Sequence, residues 1–313
     1  MVRLLYNLDA AMVHPAFGLS VGVFAIATGS ILIRYALDEG VEPLVVAVWR
    51  LGVAAIVLLP IAVTRAGREL RGLGRRDMGL IAVSAALLAL HFVAWIRSLS
   101  LTSQASSVVL VSTIPVWVAL ASPWTIGERV SRRTGFGVLL AVAGATTITL
   151  ASSGGSAERP DALLGNGLAL VGAWGYAGYL MVGRGLRQRL SLLAYITPTY
   201  GIAAVLVLLA LLVLGDDPLP PTAAGMGWCV LLALLPQLIG HSTLNWALAR
   251  LPAATVSVIA LGEPVGAIVL AVPLLGVVPG SVELFGSAVV LLGIWWAGRG
   301  AMLAPSAFSE GKP

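Results

Sequence analysis

Apolar runs of about 20 residues follow one another along almost the whole chain, separated by short charged or Gly/Pro-rich stretches. Ten such runs can be marked, at 16–37, 43–63, 78–99, 104–122, 134–151, 164–182, 193–214, 226–248, 253–275 and 283–300. Each is long enough, as a helix, to cross about 30 Å of hydrocarbon. The longest polar connections are 64–77 and 152–163, and the second, "SSGGSAERPDAL", has the composition of a flexible linker.

Composition supports the membrane reading. Of 313 residues 58% are hydrophobic and 11% charged, with a mean hydropathy of +0.97, whereas soluble domains carry about 25% charged residues. A single cysteine, Cys229, excludes an intramolecular disulfide and a cysteine metal cluster. The first 18 residues, "MVRLLYNLDAAMVHPAFG", lack the short apolar core and small-residue cleavage site of a removable signal peptide.

The net charge of +5 is explained by topology rather than by nucleic acid. With the N-terminus on the cytoplasmic side, that side collects Arg3, Arg65, Arg68, Arg71, Arg75, Arg76, Arg129, Arg132, Arg133, Arg184, Arg187, Arg189, Arg250, Arg299 and Lys312, and the other side only Arg159. The acids Asp38, Glu39, Glu42, Glu158, Asp161, Asp216, Asp217 and Glu283 fall opposite. The positive-inside rule then places both termini in the cytoplasm of an integral protein of the plasma (inner) membrane.

The chain also repeats itself. Residues 97–144, "RSLSLTSQASSVVLVSTIPVWVALASPWTIGERVSRRTGFGVLLAVAG", align without gaps with 246–293, "WALARLPAATVSVIALGEPVGAIVLAVPLLGVVPGSVELFGSAVVLLG", at a shift of 149. Pro115 meets Pro264, and Gly127, Gly137 and Gly144 meet Gly276, Gly286 and Gly293. The expected organisation is a first five-helix repeat over 1–151, a linker over 152–163, a second repeat over 164–303 and a cytoplasmic tail over 304–313. Five is odd, so the second half enters the membrane with opposite polarity. The predicted fold is all-α and integral to the membrane, with ten transmembrane helices in two inverted five-helix repeats around a central cavity. That architecture belongs to many secondary transporters, with the substrate site near the midplane.

Several stretches resemble the EamA-type members of the drug/metabolite transporter superfamily. They are "VAVWRLGVAAIVLLP" in the second span, "IRSLSLTSQASSVVLVSTIPVWVAL" with "IGERVSRRTGFGVLLAVAG", and "ALARLPAATVSVIALGEPVGAIVLAVPLLG" in the second half. The resemblance covers about 16–300. It implies a ten-helix carrier of small metabolites, often an exporter of amino acids or related compounds. One departure stands out: Glu128 of the "GE" pair has Val277 as its counterpart.

A charge inside a span costs about 2.5–3.5 kcal/mol on insertion scales, so such residues are candidates for function. Arg34 and Arg97 lie near the outer ends of spans one and three, where snorkelling competes with a functional role. Arg50 is ~10 Å below the outer end of span two at about 1.5 Å per residue. It is suited either to broken-helix carbonyls or to a substrate carboxylate. Glu263 is close to the midplane of span nine and falls opposite Ile114 in the repeat, so it belongs to one half only. It is the leading candidate for a proton-coupling group or for an ammonium site, with a helix-terminus or arginine-pairing role still open.

His91 and His241, at mid-depth in spans three and eight, have Trp95, Gln237, Ser242, Asn245 and Trp246 nearby in sequence. They read either as satisfied buried residues or as a cavity wall. In "GAWGYAGYLMVG", Trp174, Tyr176 and Tyr179 sit among glycines, which favours close helix packing and leaves open an aromatic wall for an amphipathic substrate. Pro115, Pro236 and Pro264 predict kinks that free the carbonyls of Val111, Leu232 and Ala260. The G-x-S-x-G match "GLSVG" at 18–22 opens a membrane helix with no strand before it, so a serine hydrolase is rejected. There is no P-loop, no HExxH and no nucleophile–base pair.

The residues together predict a non-enzymatic secondary carrier of small molecules working by alternating access. Its partners are a small-molecule substrate, the lipid bilayer and protons as the candidate coupling ion, with no metal and no cofactor. The alternatives are an uncoupled facilitator and a lipid-handling or scaffold membrane protein.

Overall fold

The computed structural model describes residues 15–102, 104–151, 161–276 and 278–302. Arg3, Glu158, Arg159, Val277, Lys312, most of the 152–163 linker and the 304–313 tail lie outside the described residues. Every regular element among those described is helical. The ten spans are α1 (Pro15–Asp38), α2 (Pro43–Arg71), α3 (Arg75–Leu101), α4 in two pieces, α5 (Arg132–Ala151), α6 (Ala162–Arg187), α7 (Leu192–Leu214), α8 (Ala223–Ala247), α9 in two pieces and α10 (Ser281–Met302). The pieces are α4a (Gln104–Val111) and α4b (Ile114–Thr125), then α9a (Ala253–Ala260) and α9b (Gly262–Leu275).

Turn chemistry sets many of the ends. Pro43 occupies the first turn of α2, where a missing N–H costs nothing. Ser191 and Thr222 cap α7 and α8 by accepting the amides of Ala194 and Gly225. Among the described residues nine helices are long and apolar enough to cross a membrane by length and composition. The span absent from those nine is α6, which at 26 residues is long enough. Its glycines, Asn166, Trp174, Tyr176 and Tyr179 dilute its apolar character, and both tyrosines are buried against the rest of the bundle.

The inverted repeat is visible in atomic contacts. Helices α5 and α10 pack closely, and a Cβ placed on any of four glycines would strike backbone of the other helix. At Gly137 it would meet the Gly293 carbonyl oxygen and the Ala297 nitrogen, both at 2.7 Å. At Gly286 it would meet the Gly144 oxygen at 2.9 Å and the Ile148 nitrogen at 3.1 Å. Shifting the first set by 149 residues yields the second. Gly144 and Gly293 obey the same relation, through Val290 and Ala141. A contact that maps onto itself in this way has two-fold symmetry, and the rising numbers on one helix meet falling numbers on the other. The glycines matched in sequence are therefore matched because backbones meet there. Gly144→Ala is expected to lower stability in detergent by about 1–3 kcal/mol, the usual cost of overpacking. Gly135→Ala, on the same helix but with open space around it, should leave the melting temperature unchanged.

Spans four and nine break at corresponding places. The first pieces end at Val111 and Ala260, again 149 apart, and the second begin at Ile114 and Gly262. Pro115 and Pro264 thus stand at short interruptions of spans four and nine, at the places where the sequence predicts kinks. Both lie in the first turn of a new helix, where no backbone N–H is needed. Pro236 lies in a widened π-helical stretch of α8, Ala233–His241, a distortion that often marks functional sites.

Candidate functional site

The two halves meet at the level of these breaks. Leu261 separates α9a from α9b, and Glu263 falls in the first turn of α9b. A carboxylate is favoured there because it faces the positive end of the helix dipole and unsatisfied amides. The Glu263 side chain is only partly buried, and its carboxylate makes no hydrogen bond or close ion pair among the described residues. Arg50 is the charged group that acts on it electrostatically.

Arg50 is buried on α2 at 6% exposure. Its Nε donates to Gln237 Oε1 at 2.7 Å, and its guanidinium carbon lies 5.2 Å from the centre of the Phe92 ring. The side-chain oxygen thus comes from the π-helical stretch of α8, which carries Gln237 towards α2. Neither Nη1 nor Nη2 has a hydrogen-bond partner among the described residues. An arginine held at Nε presents its two terminal nitrogens as a fork of the geometry a carboxylate fits.

The histidines and tyrosines form the adjoining wall. His91 Nδ1 is 2.9 Å from the Gly172 carbonyl oxygen. A carbonyl only accepts, so the proton sits on Nδ1 and leaves Nε2 as an acceptor in the neutral ring. The His91 ring stacks on Trp95, with centroids 5.6 Å apart, and lies 4.8 Å from Tyr176. The Trp95 indole N–H is buried without an acceptor. The hydroxyl of Tyr176 is 3.0 Å from His241 Nδ1, so the two histidines flank one tyrosine although they are out of register by one residue in the repeat. The counterpart of His91 is Gly240, which lets α1 approach α8 with the Ile26 nitrogen 2.9 Å from its would-be Cβ.

Asn245 is fully engaged: Oδ1 accepts from the Tyr179 hydroxyl at 2.9 Å, and Nδ2 donates to the Tyr200 hydroxyl and the His241 carbonyl. It braces the wall rather than facing it. Trp174 stands apart, half exposed, edge-on to Trp117 at 5.3 Å. It is two residues from Tyr176, about 200° round the helix, so the aromatic wall is built by Tyr176 and Tyr179 instead. Arg34 and Arg97 are exposed on α1 and α3, outside this group. Sequence reasoning missed Tyr200, Tyr195 and Ser84, the last two bonded at 2.7 Å; the polar run "YITPTYG" in span seven was the available signal.

Packing differs between the two ends. At the arginine-rich end α4b packs on α9a, whereas the symmetry-related pieces α4a and α9b form no such interface among the described residues. The two ends therefore differ in how the pieces of the broken helices pack on one another.

Two inverted halves with paired interrupted helices have the architecture of a membrane transporter. The chain belongs to the EamA-like transporter family, whose sequence model matches twice, at residues 15–150 and 163–299. It is also similar to an uncharacterized transporter of Bacillus subtilis (strain 168), YetK, at 26% identity over 196 residues. That match spans 62% of this chain and 59% of the relative's length. A crystal structure described only as that of a protein shares the fold, with a TM-score of 0.77 at 20% identity, covering 91% of this chain and 97% of the other.

Proposed function

We propose that the protein is a secondary exporter of small zwitterionic metabolites, amino acids among them, driven by protons and working by alternating access in the plasma membrane with both termini cytoplasmic. The observation that carries this reading is the pairing of Arg50, held at Nε with its terminal nitrogens unpartnered, with Glu263, a partly exposed carboxylate without a hydrogen bond. Arg50 takes the substrate carboxylate. The aromatic surface of Phe92, Trp95 and Tyr176 accommodates the apolar part. Glu263 gains a proton in one orientation and loses it in the other, so that substrate and proton exchange places at one site.

A second reading rests on the Glu263 carboxylate having no hydrogen-bond or ion-pair partner among the described residues: a facilitator without protons, in which Glu263 binds the substrate ammonium. The experiment is an export panel from overexpressing cells, using radiolabelled amino acids, their decarboxylated amines and cationic drugs. The zwitterions should leave fastest. Preferential export of amines lacking a carboxylate would overturn the assignment of Arg50.

A further inference from the structure

The α4b–α9a seam at the arginine-rich end carries a charged device that the repeat-related positions do not reproduce. After α4b the chain turns through Gly127, at φ +71°, and is pinned by the Glu128 amide donating to the Ser122 carbonyl at 3.2 Å. The Ser122 hydroxyl donates back to the Glu128 carbonyl at 3.3 Å. This turn of the first half directs the Glu128 side chain onto the second. Its Oε1 accepts from Arg184 Nε of α6 at 2.5 Å, and its Oε2 accepts the Ala253 amide at 3.0 Å. Arg184 Nη1 donates to the Leu248 carbonyl at 2.6 Å.

Ala253 opens α9a and Leu248 follows the last residue of α8. The acid therefore holds a helix N-terminus and the base a helix C-terminus, the arrangement that both dipoles favour. With side-chain exposures of 13% and 17%, the pair is shielded from much of the salt screening that weakens surface pairs. One ion pair thus ties the 4–5 turn, α6 and the 8–9 turn together beside the α4b–α9a seam.

The repeat shows that this is an addition to one end. The turn itself is duplicated, because Gly276, the counterpart of Gly127, has φ +64°. The charges are not: a shift of 149 places Val277 opposite Glu128 and Tyr35 opposite Arg184. At that opposite end α4a and α9b form no interface of comparable extent among the described residues.

We infer that Glu128 and Arg184 form a one-sided latch, positioning residues that hold the arginine-rich gate closed and must part before that gate opens. Because the repeat-related positions of the opposite gate, Tyr35 and Val277, carry no charges, the substrate-free protein rests open at the acid-rich end. The inference depends on the alternating-access reading and not on the role given to Glu263 or on the substrate.

The test uses the full-length protein in oriented vesicles without substrate, with C229A removing the native thiol. Two reporters are compared: S257C on α9a, a buried site at 2% exposure, and V108C, its repeat counterpart on α4a. A membrane-impermeant maleimide is offered from each end, and melting temperature is recorded in parallel. E128Q should speed alkylation of S257C from the arginine-rich end about tenfold and slow that of V108C from the other end, as a shift between two populations requires. E128D, which keeps a carboxylate, should move both rates less, and R184Q gives the same result from the other partner should E128Q not fold. Unchanged rates at both reporters in a folded variant overturn the latch. So does a rise at both, which signifies general loosening.

Discussion

Glu263→Gln is expected to remove nearly all transport driven by a pH gradient while leaving substrate-for-substrate exchange in place. Glutamine keeps the volume and hydrogen-bonding shape of the side chain at the first turn of α9b, so the broken helix loses only its interaction with a full negative charge. It cannot take up or release a proton. A carrier whose reorientation depends on that proton then exchanges labelled for unlabelled substrate but performs no net pumping. Gradient-driven flux should fall about 100-fold, equivalent to about 2.7 kcal/mol. Counterflow in the same proteoliposomes is the companion measurement. If Glu263 instead binds the substrate ammonium, pumping and counterflow fall together. If it serves only the helix dipole, both survive.

Arg50→Lys should raise KM for carboxylate-bearing substrates about 10- to 100-fold, a loss of roughly 1.4–2.7 kcal/mol. Three features of the site produce this. The ammonium is a compact charge that cannot keep the 2.7 Å bond to Gln237 and offer a two-pronged face as well. Gln237 Oε1, buried in α8, would be left without its donor, which costs about 1–3 kcal/mol. The stacking over Phe92 would also weaken. The measurement is initial-rate transport of an amino acid beside its decarboxylated amine. The amine has nothing for the fork to hold, so its KM should move little. An equal rise for both substrates would make Arg50 a structural brace.

The span pattern was legible because lipid imposes a length and a composition that a chain cannot hide. The repeat was legible for a steric reason: at Gly137, Gly144, Gly286 and Gly293 a side chain would strike backbone, so the same residue type stands in both halves. The places of the breaks were legible because Pro115 and Pro264 cannot donate a backbone hydrogen bond to the preceding turn, whereas how far each interruption extends is settled by packing. The partners were not legible. Arg50 and Gln237 are 187 residues apart, Glu128 and Arg184 are 56 apart, and no local pattern joins either pair. Trp174 shows the same limit: its position in span six put it at the right depth, and helix rotation turned it away from Tyr176 towards Trp117.

Simultaneous recording of proton and substrate movement by the native protein in proteoliposomes bears most directly on the proposal that the carrier is driven by protons. An outward substrate gradient imposed without a pH gradient should drive protons inward in step with substrate leaving, and the Glu263→Gln protein should move none. Substrate efflux of undiminished rate with no accompanying proton movement would contradict it.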